Sequence, residues 1–123
     1  MDQDPLTSAI IAAAIEVHRH LGPGLLESAY EECLCHELHL RGMSFTRQVP
    51  LPLEYKGVKL DCEYKIDLLV ENSVVLELKS IEAMLPIHDA QLLTYLRLAQ
   101  KRVGLLINFN VAMLIKGIVR RVL

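Results

Sequence analysis

Three ionisable residues on two neighbouring apolar segments have the types and spacing to do chemistry. Asp67 lies within the apolar run 64–70, and Glu77 and Lys79 lie within the run 73–80. Residues two apart in a β-strand share a face, so Glu77 and Lys79 point the same way, and a hairpin through residues 71–73 brings Asp67 beside them. Such charges are costly to bury unless they pair or hold an ion. The spacing predicts a metal site, with a Glu–Lys pair on a solvated sheet face as the alternative.

Further oxygen ligands complete the predicted site. Mg²⁺, or Mn²⁺ in its place, binds hard oxygen ligands and keeps several waters, so two or three carboxylates and a backbone carbonyl are enough. Glu27 is the third carboxylate, although an acid in the first turn of a helix can serve only the helix dipole. The backbone carbonyl of Leu78 is the fourth ligand. A metal at this point can activate water for phosphodiester hydrolysis, and Lys79 would orient or help deprotonate that water.

Four residues on the predicted helices are candidates for supporting roles. Tyr30 lies one turn after Glu27 and is either a core aromatic or a group that orients this carboxylate. Gln91 and Tyr95 are four apart and so share one helix face, with His88 near the start of that helix. This polar stripe either contacts a substrate phosphate or is simply solvated.

Two other patterns have plainer explanations. The second predicted helix carries cysteines and histidines, which are residue types that bind zinc. A closed zinc site needs four ligands, and a further cysteine would have to come from a distant strand. These residues are therefore expected to be core or surface residues: Cys33, Cys35, His36, His39 and Cys62. Isolated basic residues could contact a nucleic-acid backbone, although such pairs are usually solvated: Lys101, Arg102, Lys116, Arg120 and Arg121.

Hydrophobic periodicity predicts the elements that position these residues. Helices are expected over residues 6–21, 25–40 and 87–100, and Gly22-Pro23-Gly24 forces a tight corner between the first two. The apolar segments between and after them predict strands over 45–55, 58–70, 73–80, 103–109 and 111–122. The resulting order, ααβββαββ, predicts an α/β sandwich with a mixed central sheet.

Composition limits the class of protein. A chain of 123 residues with 52% hydrophobic residues is expected to form one domain, residues 1–123, and is not disordered. Its net charge of −2 gives no overall basic field that would attract nucleic acid. Three cysteines without a CxxC pair, and no apolar run long enough to span a bilayer, predict a soluble cytoplasmic protein without a membrane partner.

Two motifs carry a resemblance to a known family. Asp67 followed by Glu77-Leu78-Lys79 is similar to the core motif of the PD-(D/E)XK nuclease superfamily, with Ile66 where the name of the superfamily has Pro. Gly24-Leu25-Leu26-Glu27-Ser28-Ala29-Tyr30 resembles the signature of the GxxExxY family within it. The resemblance implies a restriction-endonuclease-like three-layer sandwich and Mg²⁺ binding by Glu27, Asp67 and Glu77. It also implies a catalytic Lys79 and the participation of Gln91.

The function expected from these features is Mg²⁺-dependent hydrolysis of DNA or RNA. A domain of this size has little surface with which to grip a duplex, so a homodimer or a partner protein is expected as well. Two alternatives stay open. One is a non-catalytic interaction module that keeps the fold, which the cost of an idle buried cluster argues against. The other is a metal-dependent hydrolase of a small phosphorylated substrate.

Overall fold

Two helices joined by a tight corner begin the protein. The structure is a computed structural model that describes residues 4–123. Helix α1 spans Pro5–Leu21 and α2 spans Glu27–Leu40. Asp4 caps α1, because its carboxylate accepts a hydrogen bond from the backbone N–H of Thr7 at 2.7 Å. Helix α2 begins at Glu27, two residues later than predicted, since the corner extends through Leu26.

A five-stranded mixed sheet forms the centre of the fold. Its strands are β1 Phe45–Pro50, β4 Lys65–Val70, β5 Val74–Lys79, β6 Val103–Asn108 and β7 Ile118–Val122. They lie in the spatial order β1-β4-β5-β6-β7, with β5 and β6 parallel and the other neighbours antiparallel. Helix α3 (Pro86–Ala99) connects the two parallel strands. A short 3₁₀ helix at Leu114–Gly117 precedes the last strand.

The predicted α/β sandwich is confirmed, but three predicted strands were too long. The last one, predicted over residues 111–122, begins only at Ile118, because the 3₁₀ helix occupies the residues before it. Residues 45–55 divide into β1 and β2 (Leu53–Tyr55), and residues 58–70 divide into β3 (Val58–Leu60) and β4. Strands β2 and β3 pair only with each other, as a separate two-stranded hairpin. Proline removes a ladder hydrogen bond, and Pro50 and Pro52 flank the point at which the chain leaves the central sheet.

Each face of the sheet has its own hydrophobic cluster. Helices α1 and α2 cover one face, where Leu76 and Leu78 of β5 are fully buried. Helix α3 covers the other face through Leu92 and Leu96. Tyr95 is also buried there, whereas Leu93 and Ala99 are only partly buried.

Gly104 of β6 allows α3 to approach the sheet closely. A Cβ atom at this position would lie 2.8 Å from Leu92 Cδ1 and 3.2 Å from Leu96 Cδ2, in a fully buried part of the core. Carbon atoms in real protein interiors do not approach one another so closely, so a larger residue would push the helix and sheet apart.

No helix in the described part of the chain is long and apolar enough to cross a membrane.

The Gly104→Ala variant is expected to lower the free energy of unfolding by about 1 kcal/mol. Overpacking costs about 1–3 kcal/mol, which exceeds the gain of about 0.4–1 kcal/mol from restricting the unfolded chain. Urea denaturation measures the change, and the same substitution in a Leu92→Ala background is the control. Because Leu92→Ala removes the clashing atom, the cost should disappear there; an equal cost in both backgrounds would contradict the packing argument.

Candidate active site

Strands β4 and β5 separate where the predicted acids lie. Their backbone ladder ends at the pair Leu68 and Leu76, one step before Asp67 and Glu77 would face each other. Two crossed hydrogen bonds replace it: the N–H of Asp67 donates to Glu77 Oε2 at 3.0 Å, and the N–H of Leu78 donates to Asp67 Oδ2 at 2.8 Å. The two carboxylates therefore occupy the gap that the separated strands leave.

The backbone of Leu78 also faces this gap. The N–H and C=O of one residue in a β-strand point towards the same neighbouring strand. Because the Leu78 N–H donates to Asp67, its carbonyl faces the same gap, while its side chain is fully buried in the core.

Gln48 marks a matching irregularity on the other side of β4. The residues before and after Gln48 pair with β4, whereas Gln48 itself does not, and its φ is 50°. A left-handed conformation costs a non-glycine residue on the order of 1 kcal/mol, so contacts must hold it in place. Its side-chain Nε2 donates to Glu31 Oε1 at 3.0 Å, and the same side chain lies close enough to Asp67 to lower the pKa of that carboxyl. The kink thus ties β1 to α2 beside Asp67.

Tyr30 fixes the corner from which Glu27 emerges. Its hydroxyl donates to the carbonyl of Gly22 and accepts from the N–H of Leu25 at 3.2 Å. Its fully buried ring stacks on Phe109, with 4.4 Å between the ring centroids. Tyr30 is therefore a core aromatic whose hydroxyl bonds the backbone before α2, the helix that Glu27 begins.

The corner is also tied directly to the strand that carries Glu77 and Lys79. The hydroxyl of Ser80, immediately after β5, donates to the carbonyl of Leu25 at 2.6 Å. The carbonyl of Lys79 accepts a hydrogen bond from the N–H of Phe109 at 2.9 Å. These bonds bring the first turn of α2 to the end of β5.

Negative charge is poorly compensated at this point. Burial and the nearby Asp67 raise the pKa of Glu77 to about 8. Burial is also the main cause that raises the pKa of Asp67, and it raises the pKa of Glu27 together with the charge of Asp67. Lys79 lowers the pKa of all three carboxyl groups, but burial and mutual repulsion outweigh it. A bound cation would relieve this repulsion.

The polar residues of α3 border the same cluster. Gln91 Nε2 donates to the hydroxyl of Tyr95 at 3.1 Å. Burial and the negative charge of Glu77 raise the pKa of that hydroxyl, so Tyr95 lies within electrostatic reach of the carboxylates. His88 has a local role, because its Nδ1 accepts a hydrogen bond from the N–H of Leu85 at the start of the helix.

A groove of about 360 Å³ runs along α3. Gln91 and Tyr95 line it together with Tyr64 and His88, whereas none of the three carboxylates does. The ring of Tyr64 meets that of Tyr95 edge to face, with 6.2 Å between the centroids. The helix stripe that the sequence left open between substrate contact and solvation therefore lines a concave surface.

Sequence reasoning missed a charged network behind the site. Glu31 is buried, lies one turn after Glu27, and raises the pKa of Asp67 by its charge. Arg47 Nη2 lies 3.0 Å from Glu31 Oε2 and 2.6 Å from Glu32 Oε2, and so compensates the buried acid. The four-residue spacing from Glu27 to Glu31 was a usable signal, because such residues share one helix face.

The donor set fits a divalent ion, although the ligands do not form a closed cage. Within residues 4–123, no three His, Cys, Asp or Glu side chains are close enough together to hold a metal ion by themselves. In the same residues, the cysteines and histidines of α2 do not form a zinc cluster. Mg²⁺ commonly uses one or two carboxylates together with water and substrate oxygens. The adjacent Asp67 and Glu77 provide these, since each uses one oxygen for the crossed backbone bonds. Glu27 is the most open of the three to solvent, and its carboxyl is only partly desolvated.

The metal-free protein is expected to lose stability as the pH rises from about 4.5 to about 8. The folded state retains a proton on Glu77 that the unfolded chain releases near 4.5, so the unfolded state binds fewer protons in this interval. Glu77→Gln cannot ionise and keeps the acceptor for Asp67. The free energy of unfolding of the Glu77→Gln variant should exceed that of the wild type by an amount that grows from near zero at about pH 4.5 to a few kcal/mol at about pH 8.

Urea denaturation across this pH range measures the effect, with chelator present. The exposed Glu54→Gln serves as the matched control and should follow the wild type. A constant difference between Glu77→Gln and the wild type at all pH values would contradict the raised pKa of Glu77.

The Tyr30→Phe variant tests how the corner is held. It keeps the stacking on Phe109 but removes the bonds to Gly22 and Leu25. The free energy of unfolding should therefore fall by about 1–2 kcal/mol. Thermal or urea unfolding measures this loss. The exposed Tyr55→Phe is the control, and an equally stable Tyr30→Phe protein would show that the hydroxyl does not hold the corner.

Comparison with known proteins gives one finding. A family model described as the PD-(D/E)XK nuclease superfamily matches residues 4–122. No curated protein and no solved structure gives a significant match. The matched region includes the separated strands, the corner and α3, and it covers almost the whole chain. The chain therefore belongs to the PD-(D/E)XK nuclease superfamily.

Proposed function

We propose that this protein is a divalent-metal-dependent nuclease that hydrolyses phosphodiester bonds in DNA or RNA. The observation that carries the proposal is the gap between β4 and β5. There the carboxylates of Asp67 and Glu77 accept the two crossed backbone hydrogen bonds, and Lys79 lies two residues after Glu77 on β5. Membership of a nuclease superfamily supports the same reaction.

Asp67, Glu77 and the carbonyl of Leu78 would hold Mg²⁺ or Mn²⁺, with Glu27 as a further ligand from the start of α2. When bound, the ion supplies charge stabilisation for the phosphoryl group and a more acidic water. The uncompensated negative charge of the three carboxyl groups supports this assignment. The crossed hydrogen bonds keep both strand carboxylates in place before any ligand arrives, which reduces the reorganisation that binding requires.

Lys79 provides the positive charge that the reaction needs. Its charge lowers the pKa of Glu27, Asp67 and Glu77, so the ammonium group lies within electrostatic range of all three. There it would orient the attacking water and offset the negative charge that develops on the phosphate. Gln91 and Tyr95 would contact the substrate from α3, and His88 lines the same groove.

The corner supports a finer assignment to the GxxExxY family. Gly24 has a φ of 97°, which favours glycine, and Tyr30 closes the corner through its hydroxyl. Glu27 lies between them at the start of α2. We propose that the three residues form one unit whose purpose is to place Glu27 beside the two strand acids.

A small phosphorylated substrate is the second candidate. The groove along α3, which Gln91 and Tyr95 line, has a volume of about 360 Å³. This volume falls within the range of small-molecule sites.

A nucleic-acid substrate is favoured by the superfamily, and a homodimer or a partner protein that enlarges the contact surface is part of that proposal. A non-catalytic module is disfavoured, because buried and mutually repelling acids lower the stability of the fold and would have no role in such a module.

Cleavage of labelled single- and double-stranded DNA and RNA, with and without Mg²⁺ or Mn²⁺, tests the proposal. Asp67→Ala and Lys79→Ala are each expected to lower the rate at least about a hundredfold, since each removes a group that acts on the reacting phosphate. The exposed Lys116→Ala on the 3₁₀ helix is the matched control for lost positive charge and should cleave as the wild type does.

Thermal unfolding with added metal separates the alternatives. A ligand that binds only the folded state raises the melting midpoint, and Asp67→Ala should abolish this rise. Metal binding without nucleic-acid cleavage would favour the small-substrate hydrolase. If the protein neither binds metal nor cleaves nucleic acid, both enzyme proposals are contradicted and the interaction module remains.

A further inference from the structure

A basic depression of about 460 Å³ lies at the end of the sheet opposite the candidate active site. Lys101 and Arg102 line it from the loop between α3 and β6, and Arg120 lines it from β7. Asn72 and Ser73 close it from the turn between β4 and β5. None of the lining residues is acidic. Two basic segments that are separate in the sequence therefore converge on one concave surface.

Arg120 is only partly satisfied within the described residues. Its Nη2 lies 3.4 Å from Asp4 Oδ2, which is a long contact. Asp4 is already occupied, because its two carboxylate oxygens accept from the N–H and hydroxyl of Thr7 at 2.7 and 2.9 Å. The buried Nε of Arg120 has no hydrogen-bond partner among residues 4–123. An unpaired buried donor of a charged group is costly, so a ligand that accepts from it would be bound favourably.

The other two cations also lack acidic partners in the described region. Lys101 Nζ lies 3.3 Å from the neutral Oδ1 of Asn72, and neither Lys101 nor Arg102 forms an ion pair with a carboxylate there. The nearby end of α3 adds little negative potential, because the N–H groups of Gln100 and Lys101 bond its last carbonyls. Three positive charges thus line the depression with little compensation.

We propose that this depression binds a phosphate group that is not the one hydrolysed. A guanidinium matches phosphate oxygens through paired N–H donors, and a lysine adds a point charge. Val74, next to Ser73 at the edge of the depression, and Glu77 in the candidate active site both lie on β5. The three steps between them correspond to about 10 Å at about 3.3 Å per residue. The bound phosphate belongs either to a flanking part of a nucleic-acid strand or to a free nucleotide or inorganic phosphate.

Direct binding measurements in the presence of chelator test this site independently of catalysis. The probes are inorganic phosphate, adenosine monophosphate and a short single-stranded oligonucleotide, titrated into wild-type protein and into a Lys101→Gln/Arg102→Gln variant. Removal of metal stops hydrolysis, so absence of cleavage activity would not affect the result. Replacement of both cations should weaken binding at least about tenfold, since each hydrogen bond to a charged group contributes substantially.

A second double variant, Arg19→Gln/Lys116→Gln, is the matched control, because it removes the same charge from exposed positions that do not line the depression. It should bind as the wild type does, and thermal unfolding confirms that both variants are folded. Binding of phosphate or the mononucleotide would identify a small ligand, and binding of the oligonucleotide alone would identify a strand backbone. No binding of any probe, or equal loss in both double variants, would overturn the proposal.

Discussion

Two crossed hydrogen bonds between β4 and β5 are the constraint on which the site depends. An antiparallel pair normally satisfies its backbone groups within the ladder, and this pair stops one step early. The carboxylates of Asp67 and Glu77 accept the N–H groups that would otherwise be left unpaired. The sheet therefore opens without leaving these two N–H groups unpaired, and the same side chains that hold the opening also fill it with negative charge.

The surrounding structure holds this opening from two sides. Gln48, in its left-handed conformation, ties β1 to α2 through Glu31 and lies beside Asp67. Ser80 ties the end of β5 to the corner that Tyr30 closes. The buried rings and aliphatic residues of the two hydrophobic clusters supply the stability that the repelling acids reduce. Arrangements of this kind sacrifice stability at a site and recover it in the core.

Charge is distributed unevenly along the sheet, although the chain is nearly neutral. Acidic groups gather where β4 and β5 separate, and three basic side chains surround the depression at the opposite end. The net charge of −2 conceals this polarity. A phosphate-containing ligand that spans both ends would meet attractive groups at each, provided that a cation is present among the acids.

Local sequence determined much of the fold and of the candidate site. Asp67, Glu77 and Lys79 lie in two apolar runs joined by a short turn, so strand periodicity and a hairpin are enough to bring them together. The corner before Glu27 follows in the same way from the conformational limits of glycine and proline. The same periodicity did not locate the breaks within residues 45–55 and 58–70, because an apolar alternation continues across a point at which the chain changes partner.

Tertiary structure alone decided the long-range contacts. The bond from Ser80 to Leu25, the strained Gln48 beside Glu31, and the convergence of Arg102 with Arg120 join segments far apart in the chain. A period of two or of about 3.6 residues describes one element and its faces, and it carries no information about which distant element packs against them. The sequence by itself therefore determined which residues could do chemistry. Packing of the sheet between its helices decided how those residues are held and where the basic groups meet.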